Sequence, residues 1–268
     1  MINIIFENDQ YLIVNKGAKL VVNRSETVKE ATLQDQLQSY LKLPKGDLGI
    51  GERAGIVHRL DRETSGLIVV AKTQKVFENL QEQFRNRLVN KEYIVLVHGL
   101  VKENEGKISI RVGRIGKFGK FGVVDRREET GRETETVYRV MNRLKFKVKG
   151  FANLVSLGAQ SKVRANYLKS HGFFYTYLGV FPKTGRTHQI RVALKSIGHP
   201  VVSDLIYTPS KLLKFDLAWC PRLFLHAKKL AFRDPVSGKL VLYESPMPED
   251  LKGAMLYLLT VNSRHGFK

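Results

Sequence analysis

From Thr136 to Ser203, a run of 68 residues, the chain has neither aspartate nor glutamate. Spread evenly, the 25 acids of the 268-residue chain would place about six there, yet the window holds twelve lysines and arginines instead. A surface cleared of negative charge over such a length suits a polyanion, and the net charge of +20 points the same way. Cysteine is almost missing as well. Cys220 stands alone, which excludes an intrachain disulfide and a thiolate metal cluster. The seven histidines show no H-E-x-x-H or His/Cys spacing, so no metal is expected. No glycine-rich loop of the Walker or Rossmann kind is present, so no nucleotide cofactor is expected either. No apolar run approaches the ~20 residues that span a bilayer, and Met1-Ile2-Asn3 lacks the basic start of a signal peptide. The expectation is a cytoplasmic monomer with no cofactor and no membrane partner.

What is present reads as one globular domain over 1–268, with 43% hydrophobic and 26% charged residues and no evident linker. Charge alone leaves RNA, DNA and anionic membrane open. The lack of a basic amphipathic helix with a large apolar face favours nucleic acid. Ile2–Phe6 and Tyr11–Asn15 predict two strands. Leu33, Leu37 and Leu41 predict a helix ending before Pro44, and Val76, Leu80, Phe84 and Leu88 predict a core-facing helix. Strands are expected at Tyr93–Val97, Lys107–Val112 and Tyr175–Phe181. Gly113 to Gly122 alternates glycine with Arg114, Lys117, Phe118, Lys120 and Phe121, which reads as a flexible basic loop able to meet phosphates and stack on a base. Lys145, Lys147 and Lys149 fall on one face of a strand by their period of two.

Thr187 is placed to cap a helix that Gly198 and Pro200 would end. On that helix Ile190, Ala193, Leu194 and Ile197 share one face, and His188, Arg191 and Lys195 another, from which Arg191 is expected to reach a cleft. The tail predicts strand, turn and strand through Leu230 and Leu240 to Tyr243, then a helix after Pro248. Many short strands with interspersed helices and no regular alternation predict an α+β fold with a mixed, mostly antiparallel sheet.

The chemically informative string is Ile56-Val-His58-Arg59-Leu60-Asp61-Arg62-Glu63-Thr64-Ser65-Gly66, just before the apolar run Leu67–Ala71. It sets one carboxylate, Asp61, between the guanidiniums of Arg59 and Arg62. Cations beside a carboxylate favour its charged form, and an ionised carboxylate can act as a nucleophile. A solvated ion-pair turn ahead of a strand would look the same over Arg59–Arg62 alone.

The longer string, His58 to Gly66, resembles the catalytic motif of the RluA-type pseudouridine synthases, which isomerise uridine in RNA. Lys91-Glu-Tyr93-Ile-Val-Leu-Val97-His-Gly99 and Gly185-Arg186-Thr187-His188-Gln189-Ile190-Arg191 resemble two further motifs, in the same order, and Leu225-His226-Ala227 a fourth. The resemblance runs from about residue 2 to residue 250. It implies a pseudouridine synthase fold with a basic cleft, ribosomal or transfer RNA as substrate, and no cofactor, since the isomerisation is redox-neutral. It implies Asp61 as the essential carboxylate, Tyr93 against the target base, and Arg191 pairing with Asp61. Arg59 would fill the space left by the flipped nucleotide. Arg62, Arg186, His188, Lys145, Lys147 and Lys149 are expected to contact RNA, and His58 and His188 to hold the motif loops through hydrogen bonds.

Two departures stand out. Asn15-Lys16-Gly17-Ala18-Lys19 occupies the place where the family usually reads Lys-Pro-Ala-Gly, so the turn lacks proline's restraint. Residues 150–171 match the family pattern least and read as an insertion. Many members carry a small S4-type RNA-binding domain ahead of the catalytic domain, whereas the resemblance here begins at about residue 2, so the acid-free surface is expected to supply the grip. The alternative reading is a catalytically silent RNA-binding or ribosome-assembly factor with this fold, and a DNA-binding regulator is supported by charge alone.

Overall fold

A computed structural model of the chain describes residues 2–26, 28–42, 50–116, 120–125, 127, 131–145 and 174–263. In chain order these form β1 (Ile4–Glu7), β2 (Tyr11–Lys16), α1 (Leu33–Leu41), α2 (Ile50–Arg53), β3 (Ser65–Ala71), α3 (Gln74–Arg85), β4 (Asn90–His98) and β5 (Glu105–Ile115). There follow β6 (Lys120–Val123), β7 (Arg132–Lys145), β8 (Phe174–Pro182), α4 (Gln189–Ser196), α5 (Ser210–Asp216), β9 (Leu225–Arg233), β10 (Leu240–Glu244) and α6 (Glu249–Ser263). The fold is α+β, with mixed, mostly antiparallel strand pairing. Among the described residues no helix is long and apolar enough to cross a membrane. The chain divides into two compact units, Met1–Tyr93 with His226–Pro246 and Ile94–Leu225 with Met247–Lys268.

In the first unit, β1 pairs with β2, β2 with β3 and β9 with β10, all antiparallel, while β3 meets β9 in parallel at Ser65↔His226 and Gly66↔Ala227. Every residue of β3 is buried, as expected for an unbroken apolar run covered on both faces. Helix α3 packs Val76, Phe77 and Leu80 against Tyr11, Ile13, Leu67, Val69 and Phe232. Burying those three helix side chains contributes about 1.5–3 kcal/mol each. The periodicity predicted this helix, but it stops at Arg85, so Leu88 lies beyond it and is exposed.

The turn after β2 is tied without proline. The Lys16 ammonium is buried and donates to the carbonyls of Gly17 at 2.7 Å, Leu20 at 2.9 Å and Arg62 at 3.2 Å. One buried side chain thus fixes both the turn and the loop that carries Asp61. Lys19, standing where the resembled family has glycine, adopts φ +65°, a conformation costing a non-glycine residue about 1–2 kcal/mol. Lys19→Gly is therefore expected to stabilise the protein by about 0.5–1 kcal/mol after glycine's own entropy cost, read as a higher urea midpoint. A lower midpoint would show that the Lys19 side chain holds the turn.

In the second unit, β7 pairs with both β5 and β8, and β5 with β6, all antiparallel. Gly113–Gly122 is therefore not a loop throughout. Gly113 pairs with Gly122, Arg114 with Phe121 and Ile115 with Lys120, and residues 117–119 lie outside the described residues. Gly113 and Gly122 serve close packing here: a Cβ on them would meet Val124 Cγ2 at 3.0 Å and Ile115 Cδ1 at 2.5 Å, respectively. β7 ends at Lys145, so Lys147, Lys149 and the segment 150–171 also fall outside the described residues. The core gathers Leu96, Tyr175, Phe215, Trp219, Phe224 and Leu258. Within it burial pushes the Cys220 thiol up to about 12, leaving the sulfur a packing group rather than a nucleophile.

Candidate active site

In the first unit the motif forms a loop between Ile56, which bridges to Val70, and β3. His58 fixes its start: Nε2 accepts the Val69 N–H at 3.1 Å and the ring stacks on Phe84 at 4.5 Å. Burial first, then the Lys91 charge, lowers this imidazole to about 3, so it is neutral and free to accept. Its role is to hold the loop, as expected. Leu60 anchors the middle, 4% exposed. The Asp61 carbonyl accepts the Thr64 N–H at 3.1 Å, closing a four-residue turn of the kind aspartate favours at its first position.

The far end of the loop is fixed by residues that sequence reasoning gave no role. Ser65 and His226 are both buried, with Ser65 Oγ and His226 Nδ1 3.0 Å apart. Beside them Gly66, at φ +121°, lies so close to β9 that a Cβ would sit 2.3 Å from the Ala227 carbonyl oxygen. The fourth motif, Leu225-His226-Ala227, therefore locks the first. The only signal for this in the sequence was the match itself.

The loop leaves Asp61 half-buried and Arg59 and Arg62 exposed. The expected guanidinium sandwich is not formed by Arg62, whose Nη2 lies 3.3 Å from a Glu30 carboxylate oxygen and whose Nε donates to the Lys19 carbonyl at 3.4 Å. Neighbours in a tight turn point different ways. Arg59 makes no hydrogen bond or ion pair among the described residues. Tyr93 on β4 is 9% exposed. Burial, and next the negative charge of Asp61, push its phenol well above the usual tyrosine range. Asp61 and Tyr93 thus share one electrostatic environment, with the phenol kept protonated beside the carboxylate.

In the second unit the motif Gly185–Arg191 leads into α4. Thr187 is not the cap. His188 holds that position at φ +56° with no side-chain capping bond, and Gln189 organises the turn instead. Its Oε1 accepts from Thr184 Oγ1 at 2.7 Å and the Arg186 N–H at 3.1 Å, while Nε2 donates to the Glu135 carbonyl and Thr136 Oγ1, both at 3.0 Å. His188 Nδ1 lies 2.9 Å from the Tyr207 hydroxyl, consistent with a loop-holding role. The Arg186 side chain is exposed.

Arg191 does not stand on an exposed polar face. It is 3% exposed and forms a two-pronged pair with Asp204, Nε to Oδ2 at 2.8 Å and Nη2 to Oδ1 at 2.7 Å. The sequence hid this because Asp204 is the first acid after the acid-free window, thirteen residues on. Another cation of the window is also structural: Arg143 donates to the carbonyls of Val101 at 2.8 Å and Lys102 at 2.7 Å. Lys145 is exposed, its ammonium 5.3 Å from the centre of the Phe174 ring. No group of three or more metal-ligating side chains occurs among the described residues.

The model of the RNA pseudouridylate synthase family matches residues 10–196. An uncharacterized RNA pseudouridine synthase of Synechocystis is 34% identical over 96% of this chain and 69% of its own length. The ribosomal large subunit pseudouridine synthase D of Nitrosomonas europaea is also 34% identical, over 93% of this chain and 63% of its own. Among solved structures, human RNA pseudouridylate synthase domain containing 1 matches with a TM-score of 0.68 at 22% identity, covering 100% of this chain and 97% of that one, a likeness of fold. The chain belongs to the RNA pseudouridine synthase family, whose members are isomerases acting on RNA.

Proposed function

We propose that this protein isomerises one or a few uridines of ribosomal RNA to pseudouridine, acting as one catalytic domain, monomeric and cytoplasmic. The observation that carries the proposal is Asp61 on a loop pinned at both ends, within electrostatic reach of the buried Tyr93 phenol. The reaction breaks the bond from ribose to uracil N1, turns the base and rejoins it through C5. A carboxylate held close to the nucleoside serves it, whether it attacks ribose or base or takes a ribose proton. Tyr93 supplies a flat ring against the base. Arg191, held by Asp204 through Nε and Nη2, is proposed to take the role of pairing with Asp61 that the resemblance implies. Arg59, exposed and beside the carboxylate, would fill the gap left by the flipped nucleotide.

Ribosomal RNA is favoured over transfer RNA because several relatives, those of Nitrosomonas europaea and Pseudomonas aeruginosa among them, are named for the large ribosomal subunit. Pseudouridine mapping in RNA from cells with and without the protein tests this. Loss of signal at large-subunit positions is expected, and loss confined to transfer RNA would overturn the choice.

The grip on RNA is proposed to come from Arg62 and Arg186, exposed at the motif loops, from His188 beside them, and from Lys145 at the end of β7 with Lys147 and Lys149 after it in the sequence. Each phosphate contact steepens the slope of log affinity against log salt by about 0.7–0.9. Replacing Lys145, Lys147 and Lys149 together by alanine should weaken RNA binding and flatten that slope. An unchanged slope would remove these three from the interface.

A further inference from the structure

The pair formed by Arg191 and Asp204 is built with more restraint than an ion pair needs. Asp204 is fully buried, and Oδ1, besides meeting Arg191, accepts the backbone N–H groups of Ile206 at 2.9 Å and Tyr207 at 3.1 Å. The carboxylate is therefore held by main chain and cannot swing with the arginine. Tyr207 closes a second side, its ring centre 5.1 Å from the guanidinium carbon, a favourable approach of cation to aromatic face. The ring is itself fixed, because its hydroxyl donates to the Phe121 carbonyl at 2.8 Å and lies 2.9 Å from His188 Nδ1. A fork of oxygens along one edge and an aromatic ring beneath the guanidinium carbon suit a planar cation held in one place, not merely its charge.

Energetics support the same reading. A buried ion pair is weak evidence for stability, since well-packed apolar residues of similar volume often serve as well or better. Orientation is what the pair adds. We propose that Asp204 and Tyr207 form a guanidinium socket that sets the position of Arg191 for the isomerisation, both acting as positioning residues. The proposal rests on the reading of Arg191 as an active-site residue.

The test is chemical rescue in the full chain on a uridine-containing RNA that the wild-type protein modifies. Arg191→Ala should lower kcat by about 10²-fold or more, the scale on which misplaced active-site groups cost rate. Millimolar guanidinium should then recover part of the loss. Methylammonium at the same concentration should not, because it has charge without the fork. Adding Asp204→Asn to Arg191→Ala should abolish the recovery, and adding Tyr207→Leu should raise the guanidinium concentration it needs. A folded Arg191→Ala protein that guanidinium does not revive, or revives equally without the Asp204 carboxylate, overturns the socket. Full activity in Arg191→Ala overturns the reading of Arg191 itself, a separate outcome. Should Arg191→Ala fail to fold, Asp204→Asn alone decides: lower kcat with unchanged RNA affinity supports the proposal, and unchanged kcat overturns it.

Discussion

Asp61→Asn is expected to fold, to bind RNA as the wild type does, and to make pseudouridine about 10⁴-fold more slowly or not at all, the scale of loss when a reacting group is removed. The fold should survive because Lys16, His58 and Ser65 anchor the loop, and asparagine keeps the backbone carbonyl that accepts from Thr64. Asparagine has the same size, and a half-buried isosteric change away from the core usually costs under about 1 kcal/mol. A second readout comes from Tyr93. Burial is the larger cause of its raised phenol and the Asp61 charge the smaller, so the substitution should bring the phenol only part of the way down. A near wild-type rate in this variant would remove Asp61 from the chemistry.

Gly66→Ala should be strongly destabilising. At φ +121° an L-residue is strained whatever its surroundings, and the new Cβ would lie 2.3, 2.6 and 2.8 Å from the carbonyl oxygen, nitrogen and carbonyl carbon of Ala227. All three are main-chain atoms, so no side chain can yield. Relief requires β3 and β9 to part where the fourth motif locks the first. A loss of about 3 kcal/mol or more is expected, seen as a large drop in urea midpoint, with activity falling alongside because the Asp61 loop loses its far anchor. A midpoint within error of wild type would mean that the parallel contact at Gly66 and Ala227 is not structural.

The parts of this fold that were legible in the sequence are those whose causes are local. The apolar run Leu67–Ala71 after the motif read as a strand and is β3, the four-residue spacing of Val76, Leu80 and Phe84 gave α3, and the strand, turn and strand near the end gave β9 and β10. The parts that were not legible depend on distant partners. Ser65 meets His226 across 161 residues and Gln189 meets the Glu135 carbonyl across 54, and no periodicity marks such pairs. Glycine misled for a different reason. Between Gly113 and Gly122 it permits tight packing in a hairpin, whereas sequence alone suggested freedom. The acid-free window showed where cations collect, but not that Arg143 is spent on carbonyls and Arg191 on a buried carboxylate.

The central claim is tested most directly by incubating the purified protein with unmodified large-subunit ribosomal RNA and mapping pseudouridine at nucleotide resolution, with Asp61→Asn in parallel. The account predicts new pseudouridine at one or a few defined uridines with the wild-type protein and none with the variant. The same sites formed by both proteins would contradict it, as would RNA bound by the wild-type protein and left unmodified.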